Sequence, residues 1–411
     1  MKQKYQTISF IQPSRNNLKY LKWSYESIRK NLGYAHEICI ADDASTDGTA
    51  EWVLAQMKRD KNLKIHINKG PKRLGHTILY DTLINDYATN DVVMIYHADM
   101  YACPRLDEEV LKHIEPGVVV SGTRIEPPLQ PDGPEKILKD FGIEPEEFDE
   151  LGLLEFLNHE VMNQYGTGIT TEGIFAPWAI LKSDWDYIGG HDPIFAPQSK
   201  EDSDIFNRFH LAGYKFKQTW GGFVYHMTCR GSRFKDGAMR NPAGKVFMKG
   251  RESSEWLRQN LKSTREFIRK WGHMVKHDKM MKPIVPPKYD VAFVAYNCTK
   301  EMLNELEPWC SKIYLDLGDS DNIHAYTQVE QSKTSTDLGE KIKLYGNSKI
   351  SELHDVCVEF DCNKLNADNF QHLVNLSQII EDSGEIGVSQ LDIFKVYISK
   401  LDTYENELIR L

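Results

Sequence analysis

Glu37-Ile38-Cys39-Ile40-Ala41-Asp42-Asp43-Ala44-Ser45-Thr46-Asp47-Gly48-Thr49 is the stretch on which the fold turns. Its apolar half is a short run suited to a buried strand, and it stops on two carboxylates. A Ser-Thr-Asp-Gly turn follows, with Thr46 or Asp47 placed to cap a helix that carries Trp52, Val53 and Met57. Strand, loop and helix in that order form the repeating unit of an open α/β sheet, which binds ligands beyond the carboxyl ends of its strands. Capping accounts for the end of the stretch. It does not account for Asp42 and Asp43, which precede the cap at the place where such a sheet offers side chains to a ligand.

The same alternation extends to either side. Residues 7–11 are a β-rich run ended by Gln12-Pro13-Ser14, after which Asn16 or Asn17 caps a helix with Leu18, Leu21, Tyr25 and Ile28 on one face. Residues 63–67 predict a third strand, residues 74–87 a helix, and residues 91–96 a fourth strand. The expected fold class is therefore α/β, a Rossmann-type and mainly parallel sheet with helices on both faces. Right-handed crossovers put the loops after the first, second and fourth strands on one edge.

Prolines divide the rest. Pro127-Pro128 and Pro131-Asp132-Gly133-Pro134 open an insertion of about residues 125–160 with an acidic stretch, read either as solvated decoration or as a lid facing an acceptor. A basic helical tail spans about residues 230–280, and Met281-Lys282-Pro283-Ile284-Val285-Pro286-Pro287 resembles a linker. The expected domains are 1–285 and a smaller α/β domain at 286–411, where residues 290–295 restart a strand. Leu391, Phe394, Ile398, Leu401, Tyr404 and Leu408 recur at three-to-four spacing and predict a closing helix. No chemistry attaches to this second domain. Asp316, Asp319, His354, Cys357 and Cys362 are too irregularly spaced for a metal site and read as turn and core.

Bulk properties exclude several classes. At 411 residues the chain exceeds one usual core, and no apolar run approaches the about 18 residues of a membrane span. The start runs straight into strand-like sequence without room for a signal peptide, which gives a cytoplasmic expectation. Seven cysteines, odd in number and lacking a Cys-x-x-Cys pair, argue against a disulfide framework. The net charge is −10, of which residues 286–411 supply −11 through 22 acidic and 11 basic side chains. The remainder is near neutral, so nucleic acid is not an expected partner.

Two more acidic motifs follow the first. His97-Ala98-Asp99 ends the fourth strand, and Glu201-Asp202-Ser203-Asp204 opens a helix after Gly189-Gly190-His191-Asp192. Carboxylates at strand ends suit a divalent cation on a diphosphate, with one left as general base. Alone, His97 at a strand end reads as structural, and an acidic helix start reads as a response to the helix dipole. Val224-Tyr225-His226 precedes Arg230 and Arg233, which read either as surface or as charge for a leaving group.

Together these motifs resemble family 2 glycosyltransferases of the GT-A fold over about residues 5–230, in matching order. Residues 40–49 resemble the family's D-D-G-S-T-D-G-T signature, Pro13-Ser14-Arg15-Asn16 its turn after the first strand, and Lys72-Arg73-Leu74-Gly75 its basic segment after the third. The block from Gly189 through Glu201-Asp202 to Gly213-Tyr214 is similar to the family's G-G-x-D and E-D-x-D segment. The resemblance implies a nucleotide diphosphate sugar as donor, a UDP-sugar being favoured, and a glycan or other hydroxyl as acceptor, in glycan or polysaccharide synthesis. Pro13, Arg15, Asp42, Asp43 and Arg73 would line the nucleotide site. Asp99 and His226 would hold Mn²⁺ or Mg²⁺. Asp202 would be the base, with Glu201 orienting the acceptor or sharing that role.

One departure matters: His97 stands where the family carries the first Asp of its D-x-D motif. Imidazole suits Mn²⁺ better than Mg²⁺, and His97 has a ribose or phosphate as its other expected partner. Two other readings remain at this level: a sugar- or nucleotide-binding scaffold with a degenerate site, and a nucleotidyltransferase. The second normally needs a glycine-rich loop after the first strand, and residues 12–16 contain no glycine. Homo-oligomerisation through the second domain is a further possibility. Trp178, Trp185 and Trp220 read as aromatic core or as sugar-stacking surfaces.

Overall fold

The computed structural model describes residues 4–161, 168–230, 237–250, 252–346 and 350–411. The chain forms two compact units: Met1–Gln259 with His277–Pro283 and Leu411, and Asn260–Lys276 with Ile284–Arg410.

In the first unit the strands are β1 (Ser9–Ser14), β2 (Glu37–Asp43), β3 (Leu63–Asn68), β4 (Val92–Ile95), β5 (Met100–Ala102), β6 (Val118–Glu126), β7 (Lys136–Leu138), β8 (Thr170–Thr171), β9 (Trp178–Leu181) and β10 (Lys215–His226). They make one sheet in the order β3-β2-β1-β4-β9-β6-β10-β5, with β7 beside β6 and β8 beside β10. A separate ribbon joins β11 (Ala238–Arg240) to β12 (Val246–Met248). The parallel half, β3-β2-β1-β4, has the alternating signature read from sequence, and every residue of β2 is buried, as a central parallel strand requires. The chain winds outward from β1 through β2 to β3 and then returns to place β4 on β1's other side. Open α/β sheets take their ligands at such a reversal, here beyond the carboxyl ends of β1 and β4.

Side chains join the loops along this edge. Asp47 accepts the Leu18 N–H at 2.9 Å and the Thr49 N–H at 3.2 Å, so one carboxylate serves the starts of two helices. Asn16 accepts the Thr46 N–H at 2.7 Å. The expected cap by Asn16 or Asn17 is thus replaced by a bond from the neighbouring loop.

The insertion is neither loose nor decorative. Phe141, Leu153, Phe156, Leu157 and Val161 pack in one cluster with Trp220, Phe223 and Tyr225. The Tyr225 hydroxyl accepts the Phe141 N–H at 3.0 Å and donates to the Gly142 carbonyl at 2.6 Å. Trp178, Trp185 and Trp220 are all buried, Trp178 against Trp185, Phe206 and Phe209, which removes them as stacking surfaces.

The second unit is a six-stranded sheet. Its members are β13 (Val291–Tyr296), β14 (Lys312–Leu315), β15 (Ile342–Leu344), β16 (Val356–Asp361), β17 (Gly387–Leu391) and β18 (Phe394–Ile398), in the order β15-β14-β13-β16-β18-β17. The predicted closing helix is instead the β17–β18 hairpin, followed by a short 3-10 turn at Glu405–Leu408. Phe394, Val396 and Ile398 are buried in alternation with their neighbours, a period of two that the three-to-four spacing of the larger residues concealed. The tail after residue 259 also differs from its reading as part of the first domain. Arg265 and Arg269 are committed to Glu307 and Glu330 within the second unit.

His354 is held by Asp290 at 2.9 Å and the Tyr314 hydroxyl at 3.0 Å, while Cys357 and Cys362 lie in different apolar clusters. Among the described residues no helix is long and apolar enough to cross a membrane.

Candidate active site

β4 ends at that reversal, so His97 and Asp99 follow directly beyond its carboxyl end. β10 ends beside them on His226, because its last residues pair antiparallel with β5, His226 opposite Met100. Donor atoms of His97, Asp99 and His226 all lie within 4.8 Å of one another. The His226 Nε2 is 3.4 Å from an Asp99 oxygen, and the two imidazole rings are 5.6 Å apart. Two imidazoles and one carboxylate form a mixed N/O set that suits Mn²⁺ and other transition ions better than Mg²⁺. The residues present fit a divalent cation.

Electrostatics around these groups are strong. Burial, then the charge of His226, pushes the His97 imidazole down to about 4, leaving it neutral and able to ligate. Burial opposes a charge on Asp99, but His226 and His97 hold its carboxyl below the usual range. His226 is driven the other way: burial disfavours its cation, yet Asp99 and Glu126 raise it to about 9. Glu126 did not stand out in the sequence. It accepts from His226 Nδ1 at 2.7 Å across a separation of 100 residues.

The helix Glu201–Leu211 supplies the second group of carboxylates, and its motif has a structural explanation. Asp204 and Arg208, both fully buried, pair at 3.0 Å. The Arg208 guanidinium also donates to the Ile188 carbonyl at 2.9 Å and to the Gly190 carbonyl, fastening the Gly-Gly turn to the helix. Gly190 has φ +76°, and a Cβ there would lie 2.6 Å from an Asp81 oxygen. That close approach lets Asp81 accept the His191 N–H at 3.0 Å and face its Nδ1 at 2.9 Å.

Glu201 and Asp202 are neighbours in different states. The Glu201 Oε1 is 2.6 Å from His76 Nε2, and that imidazole overcomes burial to hold the carboxyl below its ordinary range. No hydrogen bond reaches the Asp202 carboxylate among the described residues; burial and the adjacent Glu201 charge push it up to about 6. Glu201 Oε2 and His191 Nε2 are buried without a hydrogen-bond partner among the described residues, as expected where a ligand's hydroxyls would dock.

The two groups lie close enough to act on common neighbours. Buried Tyr80 feels the charges of Asp202, Glu201 and Asp99 together, and His97 feels that of His76. Arg73 extends the set toward β2. It donates to Gln198 at 2.7 Å, lies 3.6 Å from Asp43, and feels the charges of Arg15 and Glu201.

The remaining candidates divide. Asp42 is buried at the end of β2 with a carboxyl raised by burial, and Ser45 reaches it through both its N–H, at 3.3 Å, and its side chain. Asp43 is engaged within the protein. Its oxygens accept the Leu74 and Gly75 N–H groups at 2.9 and 2.8 Å and the Asn68 amide at 2.8 Å, so it shapes the loop carrying Arg73. Pro13 is half-buried and Arg15 exposed at the carboxyl end of β1. Arg230 is tied to Glu144 at 3.1 Å and to the Ile143 carbonyl, with its guanidinium 5.5 Å from the Tyr20 ring. Arg233 lies outside the described residues.

Residues 9–170 match the family described as Glycosyl transferase family 2. That span contains the β2 and β4 motifs and ends before the helix Glu201–Leu211 and His226. Two solved structures are similar. One, a crystal structure of GalNAc-T7 with UDP, GalNAc and Mn²⁺, has a TM-score of 0.41 and 13% identity over 54% of this chain and 43% of its own. The other, S. aureus TarS 1-349, has a TM-score of 0.35 and 15% identity over 54% of this chain and 60% of its own. This chain thus spans less than two thirds of either. No curated protein matches it.

Proposed function

We propose, from the premise that residues 9–170 belong to glycosyl transferase family 2, that the chain moves a sugar from a nucleoside diphosphate sugar to an acceptor hydroxyl with inversion at the sugar's anomeric carbon. One observation carries this reading: the His97, Asp99 and His226 donors lie within 4.8 Å of one another, and buried Tyr80 feels the charges of Asp99, Glu201 and Asp202 together. The three donors suit a diphosphate-bound cation, and Asp202 suits a base.

His97, Asp99 and His226 would hold a divalent ion, Mn²⁺ ahead of Mg²⁺. Such an ion supplies positive charge against that developing on the departing diphosphate. Asp42, at the carboxyl end of β2, would accept from a uracil N–H or a ribose hydroxyl, in keeping with a UDP-sugar. Arg15 and Arg73 follow the carboxyl ends of β1 and β3 and can meet donor phosphate or ribose.

Asp202 accepts the acceptor's proton. As the hydroxyl oxygen forms its bond to C1, the bond from C1 to the phosphate oxygen breaks and its electron pair leaves with the diphosphate. A carboxyl raised to about 6 is mostly ionised at neutral pH yet basic enough to take that proton. Glu201, pinned by His76, keeps one oxygen to orient the acceptor and adds the like charge that makes Asp202 more basic. Acceptor and linkage follow from contacts outside this set.

A thermal-shift series with nucleoside diphosphates, each with and without Mn²⁺, tests the reading. Stabilisation follows the ratio of ligand concentration to Kd, about 2.7 kcal/mol at a hundredfold excess over Kd. UDP with Mn²⁺ should raise Tm by several degrees, more than either alone. No response to any nucleotide under either condition would overturn the proposal.

A further inference from the structure

We infer that Glu126 is a positioning residue that fixes which nitrogen His226 presents to the cation, and that the insertion exists in part to hold Glu126 in place. This rests on the metal-site reading above and adds a residue and a segment that it does not contain.

The geometry is specific. β6 and β10 run parallel with Tyr225 opposite Ile125, so the last residue of each strand, Glu126 and His226, come side by side. Glu126 is 1% exposed. Its Oε1 lies 2.7 Å from His226 Nδ1 and also accepts from Arg124 at 2.9 Å. Its other oxygen lies 3.5 Å from the Lys136 ammonium. Arg124 continues to Glu135 at 3.4 Å and stacks over Phe175 at 3.9 Å.

Lys136 and Glu135 belong to the insertion, and β7 brings them alongside β6 through the pairs Arg124–Lys136 and Glu126–Leu138. Arg124 and Lys136 anchor the Glu126 carboxylate against Nδ1. Nδ1 is then occupied by Glu126, and Nε2 is the nitrogen left for Asp99. Metal-bound histidines are commonly oriented by such a carboxylate behind them. The insertion therefore acts from behind the site, which is a different role from an acceptor lid.

The test uses Mn²⁺ alone on the full chain, with binding measured by calorimetry and ligation by the imidazole-nitrogen couplings in pulsed EPR. Wild type, His226→Ala, Glu126→Gln and Glu126→Asp are compared, each checked for a cooperative melt. Glu126→Asp keeps the buried charge and so guards against a variant that merely misfolds, while its shorter side chain draws back from Nδ1. Both Glu126 variants should bind Mn²⁺ about 10- to 100-fold more weakly, with the nitrogen coupling absent from His226→Ala diminished or lost. A folded Glu126 variant with wild-type affinity and unchanged couplings overturns the inference and leaves the metal site standing. Wild-type protein without nitrogen-coupled Mn²⁺ overturns the metal site, and the inference with it.

Discussion

Asp202→Asn should lower kcat by about a hundred- to ten-thousand-fold, the range typical of losing a positioned general base. Asparagine keeps the shape of the side chain and removes its ability to accept a proton. Among the described residues the carboxylate has no hydrogen bond to lose, so the fold should be undisturbed and nucleotide affinity should change by no more than a few-fold. The pH dependence follows from the same group. Its carboxyl is raised to about 6 in the free protein, and the base works only when ionised, so wild-type kcat/KM should fall as pH drops below about 6. The residual rate of Asp202→Asn should lack that acid limb. Steady-state kinetics from pH 5 to 8 with a nucleotide binding isotherm would check both. An active variant, or one that has lost nucleotide affinity in step with activity, would remove Asp202 from the role.

Glu307→Gln should cost the second unit about 3–5 kcal/mol, the usual effect of removing one partner from a buried ionic cluster. Glu307 is completely buried. It meets Arg269 at 2.6 Å, Lys341 at 2.8 Å, Arg265 at 3.2 Å and the Tyr326 hydroxyl at 2.8 Å. Glu330 and Glu266 supply the remaining negative charge, at 2.8 and 2.7 Å from Arg269. Glutamine would leave cations in the interior without their central counter-charge. Burial works against ionised Glu307, but Lys341 and Arg269 hold its carboxyl down at about 2 against an ordinary 4.5. The stabilisation is therefore present above about pH 4.5 and is lost as pH falls toward 2. Hydrogen exchange of second-unit amides should show faster opening in Glu307→Gln at pH 7. Wild type should lose protection between pH 4.5 and 2, while the variant's own protection changes less over that range. Equal protection of the two proteins at pH 7 would mean that the cluster contributes no net stability.

What the sequence disclosed and what it withheld have a common physical basis. Asp42, Asp99 and Asp202 were legible because each sits in a local pattern: an apolar run ending in an acid, or an acid opening a helix after a Gly-Gly turn. The parallel half of the sheet was legible for the same reason, its strands and helices alternating at short range. Glu126, His76 and Asp81 were not legible. Their partners His226, Glu201 and His191 lie 100, 125 and 110 residues away, and nothing near each residue marks it. Asp43 looked like a ligand residue because it adjoins Asp42, yet successive residues of a strand point to opposite faces, and its face meets the Leu74–Gly75 loop. The closing hairpin was misread because Phe394 and Ile398, four residues apart, fit both periods, and the buried Val396 between them is what marks a strand. The basic residues after position 259 read as a helical tail of the first domain because their acidic partners lie 38 to 65 residues further on.

The central claim is that one cleft holds both a cation site at His97, Asp99 and His226 and a base at Asp202. Anomalous diffraction from a crystal grown with Mn²⁺ and UDP tests it most directly. A manganese peak among His97, Asp99 and His226, with diphosphate oxygens on it and the Asp202 carboxylate facing the same cavity, is the predicted result. Manganese bound away from those three side chains, or Asp202 closed off from the nucleotide, would contradict it.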